Sequence, residues 1–103
     1  MNRLPAPKKP YVKPVAHLSE ANLEMAKAAL WYDRRVPGLG DRWLRALEAA
    51  QSKIQHQPQL GAPHRRQTRT WRVPKFPYRI VYREEPDRIL ILAFAHDKRR
   101  ESY

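Results

Sequence analysis

From Phe76 to Ala95 the chain reads FPYRIVYREEPDRILILAFA, and its apolar positions change rhythm halfway along. Tyr78, Ile80 and Tyr82 alternate with Arg79, Val81 and Arg83, the period of a half-buried strand. Glu84 to Asp87 then supplies a charged turn around Pro86, after which Ile89 to Ala95 is an almost unbroken apolar run. A strand apolar on both faces belongs inside its sheet, with a layer packed over at least part of each face. The spacing therefore predicts a hairpin whose second strand is the hydrophobic spine of the domain. His96, Lys98, Arg99 and Arg100 stand where that spine ends.

Upstream, Trp71 and Val73 alternate with Thr70 and Arg72, so another strand begins there, and Pro74 and Pro77 bracket Lys75-Phe76 as a tight connection into the hairpin. Before it the period lengthens to that of helices. Ser19 is a good N-cap type, Glu20 suits the first turn, and Leu18 with Leu23 fits a hydrophobic staple. Leu23, Ala26 and Leu30 form an apolar stripe, with Met25 and Tyr32 alongside. Pro37-Gly38 stops this helix and Gly40-Asp41 restarts a second, in which Trp43, Leu47, Ala50 and Ile54 make a core-facing stripe. Pro58, Gly61 and Pro63 end it. Tyr11 to Leu18 reads as a short strand that Pro14 confines to a sheet edge. Met1 to Pro10 has no periodicity and reads as an extended basic arm, leaving residues 11–103 as one domain. The order is arm, short strand, two antiparallel helices and three strands, an α+β fold with a helical layer on a mostly antiparallel sheet.

If Trp71, Val73, Tyr78, Ile80 and Tyr82 face the helices, then Thr70, Arg72, Arg79, Val81 and Arg83 face away. Guanidinium groups crowded on one face repel one another unless they stay solvated or meet an anion. Lys98-Arg99-Arg100 would extend that patch at one edge, with Tyr and His side chains nearby. The whole chain points the same way, with 21 Lys+Arg against 10 Asp+Glu and a net charge of +11 over 103 residues. Such a field favours polyanionic partners: nucleic acid, ribosome, anionic membrane or an acidic protein. A solvated basic face satisfies the same pattern.

The apolar residues, 42% of the chain with three Trp, are patterned and so specify one small core instead of disorder. No cysteine is present, which excludes disulfides and thiolate metal sites and is compatible with a reducing compartment. The longest apolar run is too short for a bilayer and no charged-then-apolar leader opens the chain, so a soluble cytoplasmic protein is expected. His17, His56, His64 and His96 lack metal-ligand spacing, and Pro37-Gly38-Leu39-Gly40 lacks the Lys-Ser/Thr of a phosphate loop, so neither metal nor cofactor is expected. What remains is Arg, Lys, Tyr and His, the set that metal-free RNA cleavage through the 2′-hydroxyl requires. Among these types histidine alone has an ordinary pKa near neutrality, which singles out His96, although a lone His at a strand end also serves structural roles.

Trp31-Tyr32 followed by Pro37-Gly38-Leu39-Gly40, then FPYRIVY at Phe76–Tyr82, the run ILILAFAH, and His96 with Arg99-Arg100 form an ordered set. That set resembles the RelE/ParE superfamily of bacterial type II toxins, over roughly residues 15 to 103. The resemblance implies two N-terminal helices against a four-stranded, antiparallel-rich sheet. It also implies a plasmid-stabilisation type of toxin encoded beside an antitoxin; the antitoxin's C-terminal segment wraps the toxin, which reaches operator DNA only through the antitoxin. Two activities divide the superfamily: RelE-like members cut mRNA in the ribosomal A site, and ParE-like members inhibit DNA gyrase without cutting RNA. For the RelE activity the resemblance places Arg72 where the family has a lysine, Arg79 on the third-strand arginine, Arg99 on the arginine after the last strand and Tyr103 near the C-terminal tyrosine. Thr70 stands where another lysine would be. His96 with Arg99-Arg100 and the PGLG turn lean toward the ParE-like branch, although Glu101-Ser102-Tyr103 departs from its usual ending. On that branch Arg83, His96, Lys98 and Arg100 are the target-binding candidates. A basic nucleic-acid-binding module without toxicity is the third reading.

Overall fold

The computed structural model describes residues 12–98. The expected arm at Met1–Pro10 and the candidate residues Arg99, Arg100 and Tyr103 lie outside them. The elements are β1 (Val15–His17), α1 (Ser19–Arg35), α2 (Leu39–His56), β2 (Ala62–His64), β3 (Thr68–Arg72), β4 (Tyr78–Glu84) and β5 (Ile89–His96). Five strands lie in the order β1-β5-β4-β3-β2, with β1 parallel to β5 and every other pair antiparallel. The sheet thus has one strand more than the four expected. The additional strand, β2, contains Pro63 and leads into the dense charge of His64 to Arg66, which reads as loop. It is nevertheless an edge strand, where a missing N–H costs nothing. Its turn into β3 puts Arg66 and Gln67 at positive φ, and the Thr68 hydroxyl donates to the Arg65 carbonyl at 2.7 Å to hold it.

β5 lies inside the sheet, flanked by β1 and β4. Ile89, Ile91 and Phe94 all enter the core beneath the helices, although Ile91 and Phe94 are three apart and strict alternation would send one of them outward. The register explains it: Tyr82 pairs with Ile91 and Val81 with Ala93, so Leu92 is an extra, unpaired residue. This bulge re-phases the strand. On the β1 side, past His17, no strand among the described residues borders β5, and there Glu24 of α1 accepts the Phe94 backbone N–H at 2.8 Å, satisfying an edge donor.

The two helices differ in how well their pattern reports burial. On α2, Trp43, Leu47, Ala50 and Ile54 are all buried, as their spacing requires. On α1 the buried residues are Ala21, Ala28 and Tyr32, with Met25 and Ala29 partly covered. The expected stripe faces the other way: Leu23 and Leu30 are 56% and 55% exposed. Small alanines let α1 lie close to its neighbours, and close approach outweighs the size of the leucines. The leucine staple is also not made, because Leu18 is exposed and is tied instead through its N–H to the Ile91 carbonyl at 3.0 Å. Nor does Ser19 cap: the N-cap position is Leu18, without a side-chain bond.

Gly38 turns the chain between the helices with φ of 88°, a conformation that strains side-chain-bearing residues. Gly40 then allows close contact, since a Cβ there would meet the Ala29 carbonyl oxygen at 2.4 Å, and its N–H donates to the Asp33 carboxylate at 2.8 Å. In the core, Trp43 is fully buried, donates through Nε1 to the Met25 carbonyl at 3.1 Å, and lies against Tyr78, Phe76 and Tyr32 with centroids 4.6, 5.3 and 5.8 Å away.

A second anchor is Tyr82. Its buried hydroxyl donates to the Pro58 carbonyl at 2.8 Å and accepts the Gly61 N–H at 2.9 Å, clipping the loop after α2 onto β4. Tyr82→Phe is expected to cost about 1–3 kcal/mol, because a buried N–H loses its acceptor. Burial also holds the phenol above its ordinary pKa of 10. The folded state therefore keeps a proton that the unfolded chain releases, and stability falls as pH rises from 10 through the folded-state value. Urea melts against pH should show a shallower alkaline loss in the variant; parallel curves would reject the clip.

Among the described residues no helix is long and apolar enough to cross a membrane.

Candidate functional site

Alternation along β3 and β4 is obeyed, so Arg72 and Arg79 are direct cross-strand partners and share the face away from the helices. Thr70 pairs with Val81 on the same face. Val81, Leu90 and Ala93 are buried there, outside the core beneath the helices. Arg83 lies further along β4, half-buried, with Nη1 3.7 Å from the Glu85 carboxylate.

The arginine pair is not left to water. Asp97, the residue after β5, has its N–H bonded to the Pro77 carbonyl at 2.9 Å, which fixes the backbone beside the start of β4. One step past His96, its side chain takes the opposite face and meets both guanidinium groups. Arg72 donates to it with both Nη atoms, at 3.2 and 2.9 Å, and Arg79 Nε lies 3.7 Å away. The paired hydrogen bonds from Arg72, with Arg79 beside them, hold the Asp97 carboxyl below its ordinary pKa. Both arginines remain about half exposed, at 59% and 49% of their side chains.

His96 is elsewhere. It pairs with Tyr78, and that pair points toward the helices, with the two rings edge-on at 4.9 Å. A cleft of about 520 Å³ opens there, walled by Glu24, Lys27, Trp31, Tyr32, Tyr78 and His96. The His96 Nδ1 accepts the Lys98 backbone N–H at 3.0 Å. In a neutral ring that accepts at Nδ1, the hydrogen sits on Nε2. Strand parity thus sets Arg72 and Arg79 on one face of the sheet and His96 on the other, with His96 still near enough to add to the field on the Asp97 carboxylate. Lys98 is exposed at the end of β5, next to Asp97.

The outer face of α1 is the other exposed feature. Leu23, Ala26 and Leu30 share it, with Lys27 and Arg34 beside them. Trp31 is 51% exposed, and the Arg35 guanidinium lies 3.5 Å from its ring centroid.

Reading the sequence missed Asp97. The signal was present in its parity: if His96 shares the face of Tyr78, the residue after it shares the face of Arg79.

A family model for the ParE toxin of the type II toxin–antitoxin system parDE matches residues 18–101. Among curated proteins, none matches the chain. Eleven chains of solved structures do. One of them, from the chromosomal ParDE toxin–antitoxin system of P. aeruginosa, aligns with a TM-score of 0.72 at 15% identity, covering 82% of this chain and 96% of that one.

Proposed function

Since the chain belongs to the ParE toxin family of type II toxin–antitoxin systems, we propose that it is a ParE-like inhibitor of DNA gyrase, neutralised by a cognate antitoxin. The observation that carries this reading is the placement of His96 on the face of the sheet opposite Arg72 and Arg79. Cutting RNA through its 2′-hydroxyl needs a proton acceptor and a phosphate clamp within reach of one phosphodiester. Here the histidine and the arginine pair serve different faces, and Thr70 replaces a candidate proton carrier. That arrangement favours action by binding. The target-contact candidates are Arg83, His96, Lys98 and Arg100; of these, Arg83 on β4 and Lys98 just past β5 are cations that suit an acidic surface on the enzyme.

Neutralisation follows from the outer face of α1. Two half-exposed leucines and a tryptophan rimmed by Lys27 and Arg34 suit an amphipathic acidic helix, with apolar anchors on the leucines and carboxylates on the rim. With a net charge of +11, the toxin attracts such a segment from a distance.

The test is a supercoiling assay with purified gyrase and relaxed plasmid, run beside primer extension on translated mRNA. Loss of supercoiling with intact mRNA is the expected result. An Arg83→Ala, Lys98→Ala, Arg100→Ala variant should inhibit at least about tenfold less well at low salt, because rim charges set association rate. Codon-spaced cuts in the mRNA, lost in Arg79→Ala and Arg99→Ala, would reject gyrase in favour of a ribosome-dependent RNase.

A further inference from the structure

We propose that Asp97 decides what the outer sheet face binds: its carboxylate fills the anion position between Arg72 and Arg79 and so shuts a site that would otherwise take the phosphates of single-stranded RNA. The geometry supports occupation of a site over a stray surface contact. The two arginines are cross-strand partners, so the sheet holds their Cα atoms a fixed short distance apart. The Asp97 backbone is pinned by its own bond to Pro77, so the carboxylate reaches them without ordering a long chain. Arg72 engages it with two parallel N–H donors, the fork geometry that serves carboxylate and phosphate alike.

The charge balance identifies the ligand class. Two guanidinium groups share one carboxylate, and with Asp97 removed two positive charges would stand unneutralised on an exposed face with Thr70 beside them. A phosphodiester presents two non-bridging oxygens to such a pair and needs no burial. Both arginines are exposed enough for a nucleic-acid backbone to reach them. In the native protein the tethered carboxylate competes at a high effective concentration, so phosphate is excluded. None of this depends on gyrase being the target, and the experiment leaves that reading untouched.

Asp97→Asn keeps the shape and removes the charge. Asp87→Asn, in the exposed turn at the opposite end of the β4–β5 hairpin, changes net charge equally and serves as the control. Binding of a fluorescein-labelled oligouridylate is followed by anisotropy against salt. Asp97→Asn should bind more tightly than wild type and Asp87→Asn. One phosphate neutralised steepens its log–log salt slope by about 0.7, so a roughly fourfold rise in salt erodes the gain about 2.6-fold. Adding Arg72→Gln and Arg79→Gln should return affinity and slope to the control. Equal behaviour of Asp97→Asn and Asp87→Asn would overturn the proposal, as would a gain that survives loss of both arginines. Asp97→Ser, which lacks the amide as well, must reproduce the result if Asp97→Asn misfolds; a Ser variant no better than the control also overturns it.

Discussion

Trp43→Ala is expected to remove a substantial part of the protein's stability. Truncating a buried tryptophan costs about 3–5 kcal/mol through lost transfer energy and the cavity left behind. Here the Met25 carbonyl also loses its donor. A domain of this size has a total stability of only about 5–15 kcal/mol, so the substitution removes from about a fifth to all of it. The effect is concentrated at this position because Trp43 is where both layers meet: α1 through Tyr32, the β3–β4 connection through Phe76, β4 through Tyr78 and β5 through Phe94. Urea denaturation followed by far-UV circular dichroism measures the loss, and Trp43→Phe, which keeps a ring, should lose markedly less. If Trp43→Ala costs under about 1 kcal/mol, the aromatic cluster does not join the layers and the core has been misassigned.

The second large effect concerns a surface. Leu23→Asp with Leu30→Asp should weaken antitoxin binding about a hundred- to a thousandfold, from two apolar anchors each contributing roughly 2 kcal/mol. The new carboxylates would add repulsion against an acidic partner. Because both leucines are half exposed, thermal stability should stay close to wild type, which separates a binding defect from an unfolding one. Leu44→Asp, on α2 and 40% exposed, is the comparison. Calorimetric titration with the antitoxin peptide gives both affinities. Should Leu44→Asp abolish binding while the α1 pair leaves it intact, the docking face lies on α2 and the α1 proposal fails.

The α1 stripe shows what a pattern can and cannot report. Leu23, Ala26 and Leu30 are as regular as Trp43, Leu47, Ala50 and Ile54, yet only the second set is buried. Periodicity locates an apolar face and says nothing about which partner covers it; that partner is supplied by the fold for α2 and lies outside the chain for α1 under the binding proposal. β2 escaped notice for a related reason. Local propensity at Ala62–His64 disfavours a strand, and its existence depends on β3 offering an unpaired edge, a relation between segments that no single window contains.

Within the site, strand parity alone placed Arg72 and Arg79 together and facing away from the helices, because side chains alternate with a period of two whatever the surroundings. The same rule put Tyr78, Ile80 and Tyr82 into the core. Strand order, the extra residue at Leu92 and the face on which His96 comes to rest were decided by pairing between distant segments, since register and bulges arise only when two strands meet. Tertiary contact also set the arginine pair's occupant: Pro77 fixes the Asp97 backbone where β5 ends, and the charge that answers Arg72 and Arg79 comes from a residue 25 positions away from the first of them.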